Sequence, residues 1–160
     1  MHFIKQAEKS TLCGPVAVHN LLISLNKNTI TLQELIKLTN WNSRVGVTNR
    51  GIVRALKSLG LNFISKRGVK LPYVIKQLNK GYKVMFSYQM SKSSAHVVLF
   101  IAVKKKDNKF HLLTINDISD KGRFKIKRWI SIDYYNGKSK QFGTYCSWRR
   151  FKMPQCWVIK

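Results

Sequence analysis

The stretch Gln6-Ala7-Glu8-Lys9-Ser10-Thr11-Leu12-Cys13-Gly14-Pro15, followed by Val16-Ala17-Val18-His19-Asn20-Leu21-Leu22-Ile23-Ser24-Leu25, decides how the rest of the chain is read. The second part is apolar on nearly every side and predicts a buried helix. Gly14 and Pro15 stand at its start, and proline suits the first helical turn because its missing N–H is not needed there. Cys13 therefore falls at or just before a helix N-terminus. The unpaired N–H groups and the helix dipole at such a place favour a thiolate over a thiol. Gln6, a few residues upstream, can return its side-chain amide to the same spot. A thiol with an amide donor beside it is the beginning of an acyl-transfer site. The competing reading is a buried core cysteine.

Working outward, Thr31-Leu32-Gln33-Glu34 is a capping box and predicts a helix that carries Leu32, Leu35, Ile36 and Leu38 on its apolar side and ends near Trp41. A loop over residues 44–49 contains Gly46. Thr48 or Asn49 then caps a third helix from Gly51 to Leu59, and Gly60 stops it. Residues 61–64 fit a short strand, and Pro72 opens a fourth helix that runs through Leu78 and ends at Gly81. From Lys83 the period changes. Lys83 to Gln89 reads as a strand, and Val97 to Val103 is apolar on both faces and reads as a central buried strand. Residues 104–109, with Asp107-Asn108, form a hairpin turn, and Phe110 to Asn116 returns as the partner strand. Residues 121–130 are basic and amphipathic, of open type. Tyr134-Tyr135-Asn136-Gly137 marks a turn, and Cys156 to Ile159 a final strand.

The 160 residues are expected to form one domain, 1–160, long enough to bury a real core. No stretch reaches the apolar length of a bilayer span, and residues 1–6 hold no apolar signal segment. The expectation is an intracellular soluble protein, cytoplasmic or packaged in a virion. Cys13, Cys146 and Cys156 are few, odd in number and widely spaced, as reduced thiols are. No pair has zinc-ligand spacing, so no metal or organic cofactor is expected. The charge is lopsided: 30 Lys and Arg against six Asp and Glu give +24, and half of the basic residues lie from Lys104 onward. Such a chain attracts polyanions, nucleic acid among them, although the charge can also serve solubility alone.

A nucleophilic thiol needs a base, and the base needs an acceptor to orient it. His19 lies six residues along the same helix as Cys13 and points elsewhere. His2 is at the terminus. His111 and Asp117 are six residues apart on one strand, about 20 Å, so they cannot meet. His96 differs, because it follows the polar loop 91–94 and begins the buried strand. With the hairpin turn centred near Lys106, position 96 pairs with Asn116, or with Asp117 after a small shift. Opposed side chains there have Cβ atoms about 5 Å apart.

The order Cys, His, Asp/Asn, with a Gln before the Cys, resembles papain-like cysteine peptidases. More narrowly, it resembles the bacteriocin-leader (double-glycine) peptidase family and its free-standing relatives. The likeness rests on Gln6 with Cys13-Gly14-Pro15, on Gly46-Val47-Thr48-Asn49-Arg50-Gly51-Ile52 and Leu59-Gly60, and on Leu71-Pro72 with Gly81-Tyr82-Lys83-Val84. It continues through His96-Val97-Val98-Leu99 to Thr114-Ile115-Asn116-Asp117. The chain departs from the family in the seven-residue step from Gln6 to Cys13 and in Ile118 after the acid. No transporter segment accompanies it, so leader cleavage is not implied. Cys13 with Asn20-Leu21-Leu22 also resembles Josephin-type deubiquitinases.

The resemblance implies an α+β papain-like fold, with a helical N-terminal half packed on a C-terminal antiparallel sheet. It implies a thiol peptidase acting on a peptide or isopeptide bond, with catalytic residues Cys13, His96, Asp117 and Gln6 and a protein or peptide substrate. The rival readings are a non-catalytic basic protein on the same scaffold, bound to nucleic acid or to a virion or nucleoid, and a deubiquitinase-like isopeptidase.

Overall fold

The computed structural model describes residues 2–7, 10–27, 29–89, 95–118, 124–135 and 155–160. The first helix, α1, spans Cys13–Ser24 and is buried from Gly14 to Ile23. Its N-cap is Leu12, which has no side-chain oxygen, so no cap bond occupies the first amides. The capping box of Thr31 and Glu34 is formed in both directions and opens α2, Leu32–Leu38. The Thr48 hydroxyl accepts from the Gly51 N–H and caps α3, Asn49–Ser58. A strand β1, Phe63–Arg67, precedes α4, Leu71–Asn79, whose first turn holds Pro72.

The strands β2 (Lys83–Gln89), β3 (Ala95–Lys106), β4 (Lys109–Ile118) and β5 (Phe124–Ser131) follow. The short helix α5, Ile132–Tyr135, comes next, and β6, Gln155–Ile159, closes the described chain. The basic segment of open type is thus the strand β5 where it is described. Tyr134 and Tyr135 belong to α5, while Asn136, Gly137 and Cys146 lie outside the described residues.

Among the described residues, the six strands form one antiparallel sheet in the order β1-β6-β2-β3-β4-β5. Alternate residues of a strand face opposite sides, and both sides here are apolar. On one face, Val84, Phe86, Tyr88, Val98 and Phe100 meet Leu71, Val74, Ile75 and Leu78 of α4. On the other, Met85, Val97, Leu99, Ile115 and Trp157 meet Ala17, Val18, Leu21 and Leu22 of α1, with Leu35 of α2 and Ile52 and Leu56 of α3. The apolar run in β3 follows from this two-sided cover. The fold is α+β, with helices concentrated in the N-terminal half. Two details sharpen the sequence reading. The early strand β1 crosses over to pair with the last one, Phe63 opposite Ile159, and α4 lies on the sheet face opposite α1.

The β3–β4 hairpin differs from its expected register. Lys106 pairs with Lys109, so the turn is the two-residue Asp107-Asn108, both with positive φ (49° and 58°). Two-residue hairpin loops with that backbone match the twist of the strands and favour Asp and Asn. The turn is therefore centred beyond Lys106, and a bulge between Phe100 and Ala102 shifts the register again. Continued from Leu99 opposite Ile115, this register sets position 96 opposite 118 rather than 116 or 117.

Gly14 shows why glycine stands beside the thiol. A Cβ at that position would overlap Cγ1 of Val47, so the loop before α3 lies directly on the start of α1. No helix among the described residues is long and apolar enough to cross a membrane.

Candidate active site

Cys13 is the first residue of α1. The residue keeps part of its surface at solvent, but its sulfur sits deep enough among protein atoms to be desolvated. Two tethers fix the chain leading to it. The Trp41 indole N–H donates to the Thr11 carbonyl and hydroxyl oxygens, both at 3.1 Å. Further back, Asn20 of α1 accepts from the Ile4 N–H at 2.8 Å and donates to the Ile4 carbonyl at 3.0 Å. Asn20 is fully buried, and this pair of bonds ties the N-terminal segment along the helix that starts at the thiol.

The His96 imidazole and the backbone N–H groups of Val97 and Gly14 favour the ionised form of the Cys13 sulfur. Burial is the largest single influence on the thiol and opposes its ionisation. The His96 hydrogen bond, the His96 charge and the two backbone amides together outweigh it and hold the thiol below its ordinary range. For His96, burial again acts first and disfavours the charged ring. The hydrogen bond and charge of Cys13, the charge of Asp117 and the bond to Asn116 outweigh that and raise the imidazole above its ordinary range. The two shifts are complementary, because each group stabilises the charged form of the other. Cys156 is the contrast. Burial in the apolar core pushes its thiol up to about 12, with only Lys66 opposing.

The acceptor facing His96 Nε2 is the backbone carbonyl of Asn116, at 3.0 Å. Asn116 has a φ of 58°, a left-handed conformation that asparagine tolerates better than most residues. That kink falls where the strand register alone leaves positions 96 and 116 out of step. The Asn116 side chain does separate work: its Oδ1 accepts from the Gln6 N–H at 2.8 Å, and its Nδ2 donates to Gln6 Oε1 at 3.3 Å. Gln6 is thereby buried beside β4, and its own Nε2 donates to the Ser10 carbonyl at 2.7 Å. An amide nitrogen carries two hydrogens, so this bond uses one of them.

Asp117 is fully buried. Its Oδ1 accepts a 2.6 Å hydrogen bond from the Tyr88 hydroxyl, and its Oδ2 lies 3.8 Å from the Arg128 guanidinium. Tyr88 pairs directly with His96 across β2 and β3, and its ring meets the imidazole edge-on at 5.5 Å. The structure thus brings Cys13, His96, Asn116, Asp117 and Gln6 to one end of the sheet, where α1 begins. His19 lies elsewhere on α1, and His111 pairs with Lys104 and Ser131 near the far end of the hairpin. Tyr88, Trp41 and Asn20 are site-building residues that the sequence reading did not assign. No cluster of three or more His, Cys, Asp and Glu suited to a metal ion occurs among the described residues.

Helices α1–α3 on one face of an antiparallel sheet, with a helix-initial cysteine against a histidine at the start of a central strand, is a papain-like peptidase fold. The chain is similar to the peptidase domain of Streptococcus ComA, a bi-functional ABC transporter involved in quorum sensing. The TM-score is 0.63 at 16% identity, covering 99% of this chain and 98% of that one. It is also similar to a double glycine motif protease from an AMS/PCAT transporter, solved in complex with its leader peptide. There the TM-score is 0.61 at 17% identity, covering 99% of this chain and 91% of that one. No protein-family model and no curated protein sequence matches the chain.

Proposed function

We propose that the protein is a thiol peptidase in which Cys13, His96, Asp117 and Gln6 carry the chemistry. The observation that supports this most is the coupling of Cys13 at the start of α1 to His96 at the start of β3, with the thiol held low and the imidazole held high. In this reading the Cys13 thiolate attacks the scissile carbonyl carbon. The oxyanion is met by the Cys13 backbone N–H and the second hydrogen of Gln6 Nε2, each donor contributing roughly 3–4 kcal/mol. His96 protonates the departing amine, leaving a thioester on Cys13. Water then attacks that thioester, His96 takes its proton, and the thiolate is restored with release of the carboxylate. The Asn116 carbonyl orients the ring, and Asp117 supports its charge.

The substrate is a peptide or protein segment, in keeping with the leader peptide bound to the double glycine motif protease. The test is digestion of a peptide library by the purified protein, with products read by mass spectrometry. New carboxyl termini that vanish after alkylation are expected; an untouched library contradicts the reading. Replacing Asp117→Asn gives a pH signature. Its charge raises the His96 pKa, so removing it lowers that pKa and moves the alkaline limb of kcat/KM to lower pH. An unmoved limb would detach Asp117 from the histidine.

A further inference from the structure

A cavity of about 460 Å³ lies away from the thiol, between the outer face of α3 and the edge of the sheet at β1 and β6. It is lined by Arg50, Arg54 and Lys57 of α3, by Ser65 and Arg67 of β1, and by Gln155 of β6, with Val53 as an apolar wall. Its volume is that of a small-molecule site. Four cations and no carboxylate line it.

The cavity is built rather than incidental. Positions 50, 54 and 57 recur along one line of a helix, and the opposite side of α3 (Gly51, Ile52, Ala55, Leu56) is buried against the core. Ser65 and Arg67 alternate with Lys66, so both face the cavity. Gln155, only 5% exposed, forms its floor, donating to the Ser65 hydroxyl at 2.6 Å and accepting from Arg67 Nε at 3.3 Å. Arg54 donates through its own Nε to the Leu38 carbonyl at 2.9 Å. Two guanidinium groups are therefore oriented through Nε, which leaves their terminal nitrogens to present a fork to a ligand. Such forks match phosphate oxygens two at a time.

The arrangement is also unfavourable when empty. Arg50 and Arg54 are like charges at i and i+4, and Arg50 stands in the first turn of α3, where the helix dipole disfavours a cation. A multiply charged anion removes both penalties.

We propose that this cavity binds a phosphate-bearing ligand of nucleotide size, as a free nucleotide or as one unit of a polynucleotide strand. The site shares no residue with the Cys13 centre and stands whether or not that centre is catalytic. The test uses the whole chain at about 0.15 M salt, where exposed charges are largely screened. ATP binding is followed by calorimetry, and a labelled 20-nucleotide oligothymidylate by fluorescence anisotropy. Two double variants address the cavity: Arg54→Gln with Arg67→Gln, and the solvent-facing pair Arg50→Gln with Lys57→Gln. Lys105→Gln with Lys106→Gln removes the same charge at the hairpin end. Thermal melting checks that each variant is folded.

The expected result is a loss of at least about tenfold in affinity in a folded cavity variant, with less than about twofold change in the hairpin variant. The probe that binds identifies the source: ATP points to a free nucleotide, and the oligonucleotide alone to a strand. Equal losses in all three variants would reduce the effect to diffuse charge attraction and overturn the proposal. So would binding that no cavity variant weakens, or a native protein that binds neither probe.

Discussion

Cys13→Ala is expected to abolish peptide cleavage, by roughly 10⁵–10⁶-fold in kcat, while the protein stays folded. The size of the effect follows from the role: without the sulfur no thioester forms, and only binding and the oxyanion donors remain to assist attack by water. The fold survives for a separate reason. Cys13 sits at the first position of α1 and is partly exposed, whereas α1 is held by Ala17, Val18, Leu21 and Leu22 in the core. The stability change should be about 1 kcal/mol, because a single sulfur atom is removed at the border of the core rather than from its centre. Progress curves from a peptide found in the library digest, together with thermal melts, check both halves. Residual cleavage at the native rate would remove Cys13 from the chemistry.

His96→Ala has the second largest expected effect, a loss of about 10⁴-fold in kcat/KM. Two losses combine. The proton donor for the leaving amine is gone, and so is the partner that keeps the thiol ionised. With His96 absent, burial remains and pushes the Cys13 pKa up, against only the Val97 and Gly14 amides and the helix dipole. The variant should therefore lose alkylation rate at neutral pH as well as activity. That second readout separates the acid–base role from a disturbed substrate cleft, which would lower cleavage and leave the thiol reactive.

Much of the fold was legible because local signals were strong. The Thr31/Glu34 box, the Thr48 cap and Pro72 each mark a helix start, and the structure forms all three helices within a residue or two of those marks. The two-faced apolar run from Val97 predicted a buried strand, and Val97 to Phe100 are buried on both faces. The β1–β6 pairing was out of reach, because it joins residues nearly a hundred positions apart and no local pattern encodes such a partner.

The surroundings of the site divided in the same way. A cysteine at a helix start is a local property and could be read directly. The path from His96 to its acceptor was not, because register depends on where a turn is centred. Asp107-Asn108 places that centre beyond Lys106, and a bulge moves it again. What brings Asn116 to the imidazole is a left-handed residue presenting a carbonyl, a contact made by backbone rather than by side-chain type. Tyr88 was within reach. The pairing logic applied to the second hairpin, if centred on the loop 91–94, sets Tyr88 against His96, as the structure has it. Its ring also packs in the α4-side core.

Alkylation of the native protein with iodoacetamide across pH, followed cysteine by cysteine by mass spectrometry, tests the Cys13–His96 pair most directly. Cys13 should react quickly at pH values well below about 8.5, where an ordinary thiol is protonated, and Cys156 should stay unmodified throughout. A Cys13 rate that rises only in step with free cysteine, or lags behind it, would contradict the coupling of Cys13 to His96 and the peptidase chemistry built on it.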